Sequence, residues 1–475
     1  MLFNSFEFAI FLPILFLLYW FFVPNTLHLQ NGLLLIAGYV FYGFWDYRFL
    51  GLLAFSTLLD YVSGIQIYRT QNRKSKKYWL WLSIGINLGF LGLFKYYNFF
   101  IETAGELVRG LGFQINSLAI SVILPVGISF YTFHGISYIV DVYQKKIEPE
   151  YNFTNYAVFV SFFPLLVAGP IERATHLLPQ IKQPRVFDQA KAIDGMRQIL
   201  WGLLKKMVIA DSCAIYVNRV FENPSSFSGS TLALAAVLFA FQIYCDFSGY
   251  SDIAIGTAKL FGISLLQNFS FPYFSRDIAE FWRKWHMSLS SWFRDYVYIP
   301  LGGSKVNRWI VIRNVFIIFL LSGFWHGANW TFLTWGGINA VYFLPLLLVN
   351  RNRVHMDTVA ATNILPSGKE FLQISFTFLL TVIAWVFFRS SSMHEVFIYL
   401  NGVFSSSFFS LPQSLPVTTI ILVSIFVLIE WIQRNKEHPL QFQLPQSVRW
   451  AVYYVLLLVI YLFGAKQQAF IYFKF

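Results

Sequence analysis

Apolar runs close to bilayer-crossing length recur along the whole chain, and no other feature restricts the fold as tightly. They cover residues 8–23, 32–45, 49–68, 78–100, 118–142, 231–245, 370–388, 416–432 and 450–465. A helix needs about 20 mostly apolar residues to cross the ~30 Å hydrocarbon layer. Two runs, 32–45 and 450–465, are short and need help from neighbours or from locally thinned lipid. No strand alternation is sustained. Only 12% of the residues are charged, against about 25% in a soluble domain, so a water-soluble chain of this composition could not cover its surface. The expectation is an all-α polytopic membrane protein organised as a single membrane domain, 1–475. The first run lacks a basic lead-in and a small-residue cleavage site, and it reads as a retained helix and not as a signal peptide.

The basic residues orient the chain, because Lys and Arg concentrate in cytoplasmic loops. The net charge of +12 belongs to those loops and does not point to nucleic acid. "RTQNRKSKK" (69–77) is the densest basic run and reads as cytoplasmic, which puts the N-terminus outside. "QKKIEPE" (144–150) returns to the inside. Residues 155–169 look like a further span, yet Arg173, Lys182, Arg185, Lys191 and Arg197 follow. Both flanks then read as inside, and Gly169-Pro170 breaks a helix. We therefore expect 155–170 to be re-entrant. Irregular backbone at membrane depth is tolerated only beside protein or a water-filled cavity, so an internal tunnel is expected with it. The stretch 274–308 is basic again, and from there the parity alternates to a C-terminus outside. Cys213 and Cys245 lie in apolar surroundings and read as small core residues, without a disulfide or a metal.

Against this background "SGFWHGANW" (322–330) stands out, because His326 is a titratable ring in an apolar run bounded by Arg313 and Arg351. One reading is a neutral ring satisfied by a neighbour's carbonyl. The other is functional, since ionisable groups at depth face a bundle interior or cavity. Gly323 and Gly327 form a small-xxx-small pair that lets another backbone approach. Ser322 and Asn329, at i−4 and i+3, are expected on the same helical face, with Trp325 and Trp330 as flat walls. Such a niche suits a general base.

Two more constellations bear on it. "FWRKWHMSLSSWFRDYVYIPLGG" (281–303) interleaves aromatics with basic residues, as an interfacial amphipathic helix does. That does not account for His286. The alternative is a cytoplasmic lip in which Arg283 and its neighbours hold an anionic donor. "YCDFSGYSDIAIG" (244–256) places Asp246 and Asp252 in apolar surroundings, where carboxylates need partners. Charge pairing with Lys or Arg of the inner loops and a role at the substrate both remain open.

Together these blocks resemble the membrane-bound O-acyltransferase family. "WHGANWTF" is similar to its Trp-His-Gly signature, and the other two blocks follow the family's order. "ILPVGISFYTF" (123–133) and "VAGPIER" (167–173) resemble the bacterial branch that includes alginate O-acetylation proteins. The resemblance implies a ring of about 11–13 helices with re-entrant segments around a central tunnel, and a catalytic core at about 120–340. It implies His326 as the catalytic histidine and His286 as the second catalytic position. Trp325, Asn329, Asp246 and Arg283 become candidate substrate-binding residues. The terminal "FIYFKF" (470–475) reads either as an interfacial aromatic end or, by resemblance to partner peptides of teichoic-acid D-alanylation, as a tail on which Tyr472 relays the acyl group. The C-terminal part, 370–475, would then carry that tail.

The function expected is transfer of an acetyl group from a cytoplasmic thioester, acetyl-CoA, across the bacterial inner membrane to a polysaccharide outside. No bound cofactor and no metal is expected. No large outer domain is evident, so a separate extracytoplasmic O-acetyltransferase partner is implied. The rivals are D-alanyl transfer to teichoic acid, peptidoglycan O-acetylation, and a transporter or channel without chemistry.

Overall fold

The structure is a computed structural model and describes residues 1–24, 26–112, 123–167, 169–442 and 444–471. Its regular elements are helices, grouped in two compact units: Met1–Gly195 with Thr257–Leu266, and Met196–Gly256 with Gln267–Phe475. The first unit contains α1 (Phe6–Leu17), α2 (Leu27–Asp46), α3 (Leu50–Arg69), α4 (Arg73–Leu91), α5 (Tyr97–Gly110), α6 (Ile128–Tyr143), α7 (Phe153–Ser161) and α8 (Ala174–Ile181). Then come α9 (Gln189–Leu203), which crosses into the second unit, α10 (Asp211–Glu222) and the long α11 (Gly229–Leu260). The rest of the second unit is α12 (Ile278–Lys284), α13 (Met287–Phe293), α14 (Arg308–His326), α15 (Trp330–Leu348), α16 (Gly368–Arg389), α17 (Met393–Val403), α18 (Val417–Ile432) and α19 (Gln446–Phe463).

Among the described residues, six helical segments are long and apolar enough to cross a membrane: 27–69, 229–260, 308–326, 330–348, 368–389 and 446–463. The first is α2 and α3 joined through a single turn of 3-10 helix at Tyr47–Phe49. The short apolar runs gain length from their flanks: 32–45 is the centre of the twenty-residue α2, and 450–465 lies largely in α19. The run 118–142 yields a helix only from Ile128, and residues 113–122 lie outside the described residues. Large apolar side chains stand exposed on these helices, among them Phe371, Phe376, Leu458 and Tyr461. In water such a surface would associate; in lipid it is already solvated.

The segment 155–170 does not form a span. α7 has nine residues, about 14 Å at helical rise, less than half the hydrocarbon thickness. The chain then breaks at Phe162 and makes one 3-10 turn at Phe163–Leu165. The blocks resembling the bacterial branch meet here in the first unit. The Glu172 amide donates to His134 Nε2 at 3.2 Å. Glu172 also accepts the Leu266 amide at 2.6 Å and pairs with His176 at 2.8 Å. That contact raises the His176 pKa above the ordinary histidine value.

α14 and α15 form a close helical hairpin because glycines remove the side chains between them. A Cβ on Gly323 would run into the Phe332 carbonyl, and one on Gly336 would run into that of Phe319. Gly337, next to it, would meet only Leu320 Cδ2 at 3.9 Å. Gly323→Val and Gly336→Val are therefore expected to destabilise the detergent-solubilised protein by about 1–3 kcal/mol through overpacking, and Gly337→Val to be tolerated. Thermal unfolding of the three variants, followed by size-exclusion fluorescence, checks this.

Candidate active site

His326 is the last residue of α14. After it Gly327 is extended (φ −167°) and Asn329 caps the next helix, accepting the Thr331 amide at 3.0 Å. The chain has thus left α14 before Asn329. The expectation that Asn329 shares a helical face with His326 is corrected: the helix ends too early for the i+3 relation to hold. Its Nδ2 donates to the Ser391 carbonyl at 2.7 Å, so its side chain fastens the hairpin's tip. Trp330 is also corrected as a wall, since it is half exposed.

The walls are other aromatics. The His326 ring meets Trp335 and Phe388 edge-on, each at 5.2 Å between centroids. Trp385 stacks on Trp335 at 5.6 Å and contacts Trp285 at 4.9 Å. These residues were not singled out from the sequence. Their only signal there is an aromatic at helical spacing, which an ordinary apolar helix shows equally.

Trp325 lies between the two histidines, 4.8 Å from the His326 ring and 5.9 Å from that of His286. His286 links α12 to α13 in the left-handed conformation, φ 43° and ψ 54°. That conformation costs a non-glycine residue about 1–3 kcal/mol and persists only where its surroundings enforce it. Here a strap from residues 268–270 enforces it. The Met287 amide donates to the Asn268 carbonyl at 2.9 Å, the Ser288 hydroxyl to Asn268 Oδ1 at 2.6 Å, and the Ser270 amide to the Lys284 carbonyl at 3.0 Å. Asn268 is held in turn by Ser251 of α11, at 3.0 Å. The His286 ring is buried against Phe247 at 4.6 Å, and neither ring nitrogen has a hydrogen-bond partner among the described residues.

Both imidazoles line one cavity of about 90 Å³, together with Trp282, Trp285, Ser290 and Ser322. Ser290, Ile318 and Phe319 also line a larger vestibule of about 610 Å³, whose rim carries Arg294, Arg308 and Arg353. Arg283 does not line either space. Its guanidinium donates to the carbonyls of Asn352 and His355, both at 2.7 Å, and so ties down the vestibule's edge. Glu280 anchors α12 beside it. Burial opposes its charge, but hydrogen bonds from Arg276 and the charge of Lys284 outweigh this and hold its pKa below the ordinary glutamate value.

The aspartates are both paired, through lysines that continue α9 in a π-helical stretch, Leu204–Ala210, and not through loop residues. Lys205 meets Asp252 at 2.8 Å and Glu430 at 3.6 Å. Lys206 meets Asp211 at 2.7 Å and Asp246 at 2.8 Å. Asp246 Oδ2 also accepts the Ile471 amide at 2.7 Å. Tyr472 lies outside the described residues. Cys213 and Cys245 are buried free thiols. Among the described residues, no three His, Cys, Asp or Glu side chains form a metal-ligating group.

A buried pair of imidazoles lining one cavity, next to an arginine-lined space, fits acyl transfer, and comparison with known proteins agrees. Residues 143–389 match the model of the MBOAT, membrane-bound O-acyltransferase family. The chain is 36% identical to a probable alginate O-acetylase, AlgI, of Pseudomonas aeruginosa, over 88% of this chain and 79% of that protein. It is 32% identical to a peptidoglycan O-acetyltransferase of Helicobacter pylori, over 100% of this chain and 98% of that protein. A teichoic acid D-alanyltransferase of Bacillus subtilis is 29% identical over 46% of this chain and 57% of its own length. The chain belongs to the membrane-bound O-acyltransferase family and is a multi-pass membrane O-acyltransferase.

Proposed function

We propose that the protein moves an acetyl group from acetyl-CoA, on the cytoplasmic side of the bacterial inner membrane, to a carbohydrate polymer outside. The observation that carries this reading is adjacency: two imidazoles share a small cavity that has Ser290, Ile318 and Phe319 in common with an arginine-lined space. The anionic end of the donor lies in the vestibule on Arg294, Arg308 and Arg353, and the thioester reaches inward to the histidines. The acyl group is read as acetyl from the names of the relatives, an alginate O-acetylase and a peptidoglycan O-acetyltransferase.

In the reaction, an imidazole nitrogen of His326 takes the proton from an attacking hydroxyl. The hydroxyl oxygen bonds to the thioester carbonyl carbon. His286, as a neutral N–H donor, steadies the oxyanion. The C–S bond then breaks, and the thiolate takes the proton back from His326. The attacking hydroxyl is that of Tyr472, one residue beyond Ile471, and a separate extracytoplasmic transferase carries the acetyl group onward. Arg283, Trp325 and Asp246 serve this site by shaping it. The acceptor class rests on the names of the relatives, which include both an alginate and a peptidoglycan O-acetylating protein. The latter matches over the full length of this chain, so peptidoglycan stands as a second acceptor.

His326→Ala is expected to lower acetyl transfer by about 10²–10⁴-fold, the usual loss of a general base, with folding preserved. Purified protein in nanodiscs with labelled acetyl-CoA gives the measurement, and undiminished turnover would remove His326 from the chemistry. Arg308→Ala and Arg353→Ala should each raise the donor KM by about 10–100-fold, the scale of one charge-assisted hydrogen bond, with kcat nearly unchanged. A fall in kcat alone would contradict the placement of the donor. Tyr472→Phe should abolish outward delivery while leaving donor binding intact, and normal delivery would eliminate the relay.

A further inference from the structure

The C-terminal segment after α19 is held inside the second unit by its main chain. The Ala465 amide donates to the Met207 carbonyl at 3.1 Å. Lys206 Nζ donates to the Gln468 carbonyl at 3.2 Å, and the Ile471 amide donates to Asp246 Oδ2 at 2.7 Å. Between them the Phe470 ring is fully buried, 4.3 Å from Tyr250 and 6.2 Å from Phe247. Phe247 is the ring packed on His286 at 4.6 Å.

We propose that Lys206, Asp211 and Asp246 form a peptide-binding clasp that takes up the chain's own C-terminal segment and aims it at the His286 side of the cavity. The chemistry is specific to an extended peptide. A buried ammonium offers a donor to one carbonyl, and a buried carboxylate accepts one amide three residues later. Lys206 is shared by the two carboxylates, at 2.7 Å from Asp211 and 2.8 Å from Asp246, so each buried charge of the clasp has an opposite charge beside it. Lys206 and Asp246 read the backbone, and among the described residues the side chains of Phe470 and Ile471 are buried there. Residues 465–470 lie outside any helix, so their polar main chain needs partners of this kind at depth. The clasp deepens the proposed relay and rests on that reading for its purpose.

The test compares Ile471→Pro, Asp246→Ala and Gln467→Ala in the full-length protein in nanodiscs. Proline removes the amide that Asp246 accepts and leaves the charged triad intact, and Ile471→Ala, which keeps the amide, separates its loss from that of the buried side chain. Gln467 is exposed and serves as the control. Hydrogen exchange of the C-terminal peptide, read by mass spectrometry, should quicken at least tenfold in the first two variants. Exchange in α10 and α11 of Ile471→Pro should match the parent protein. Parent-like exchange of the tail in Ile471→Pro overturns the clasp, even if Asp246→Ala loosens it. Outward acetyl delivery is measured on the same samples. A released tail with normal delivery upholds the clasp and refutes the relay, whereas a docked tail with lost delivery does the reverse.

Discussion

Two neighbouring lysines cannot be buried in an apolar bundle unless carboxylates meet them, and that requirement organises the second unit. Lys205 and Lys206 are at most 5% exposed. Because they are adjacent on one helical stretch, their side chains diverge, and their partners come from different directions. Lys205 collects Asp252 of α11 and Glu430 of α18, and Lys206 collects Asp211 of α10 and Asp246 of α11. Removing one member of such a set typically costs about 3–5 kcal/mol, because it strands the remaining charge. The pairs thus fix the rotation of α11, and α11 does the rest. Ser251 on it holds Asn268, which holds the left-handed turn at His286, and Phe247 packs on the His286 ring.

The two imidazoles, the proposed reacting groups, inherit their rigidity from this arrangement. His286 is set by a strained turn that its neighbours enforce, and His326 by the end of a helix locked to its partner through glycine contacts. Trp325 spaces the two rings. A catalytic geometry held by packed aromatics and short polar straps needs little reorganisation during reaction, which is where preorganised sites gain most.

Much of this was legible in the sequence. Apolar runs showed the helices, because in lipid a span must satisfy its own backbone. His326 stood out because a titratable ring in an apolar run is rare, and His286 because an interfacial aromatic and basic helix did not account for it. Asp246 and Asp252 were legible as groups needing partners, but the partners were not. Lys205 and Lys206 lie in the helical continuation of α9, while the charge bias directs attention to loops. The helix end at His326 was missed for a local reason: Gly327 was read as a packing glycine within a helix, yet it is the point where the helix stops. Trp335, Trp385 and Phe388 were invisible because an aromatic lining a reactive cavity and one filling a core have the same spacing.

The tail's docking has an entropic side. A hydrogen bond to a charged group contributes about 1.5–3 kcal/mol, and for a free peptide the entropy of association would be set against contacts such as those at Lys206 and Asp246. Tethering changes this, because a segment a few residues from the end of α19 meets its site at millimolar effective concentration or above. Marginal contacts then suffice to dock the tail for most of the time and still let it leave. A relay needs both properties, since its tip must sit against the thioester in one step and be presented to an acceptor in the next. A tighter clasp would favour the first step at the expense of the second.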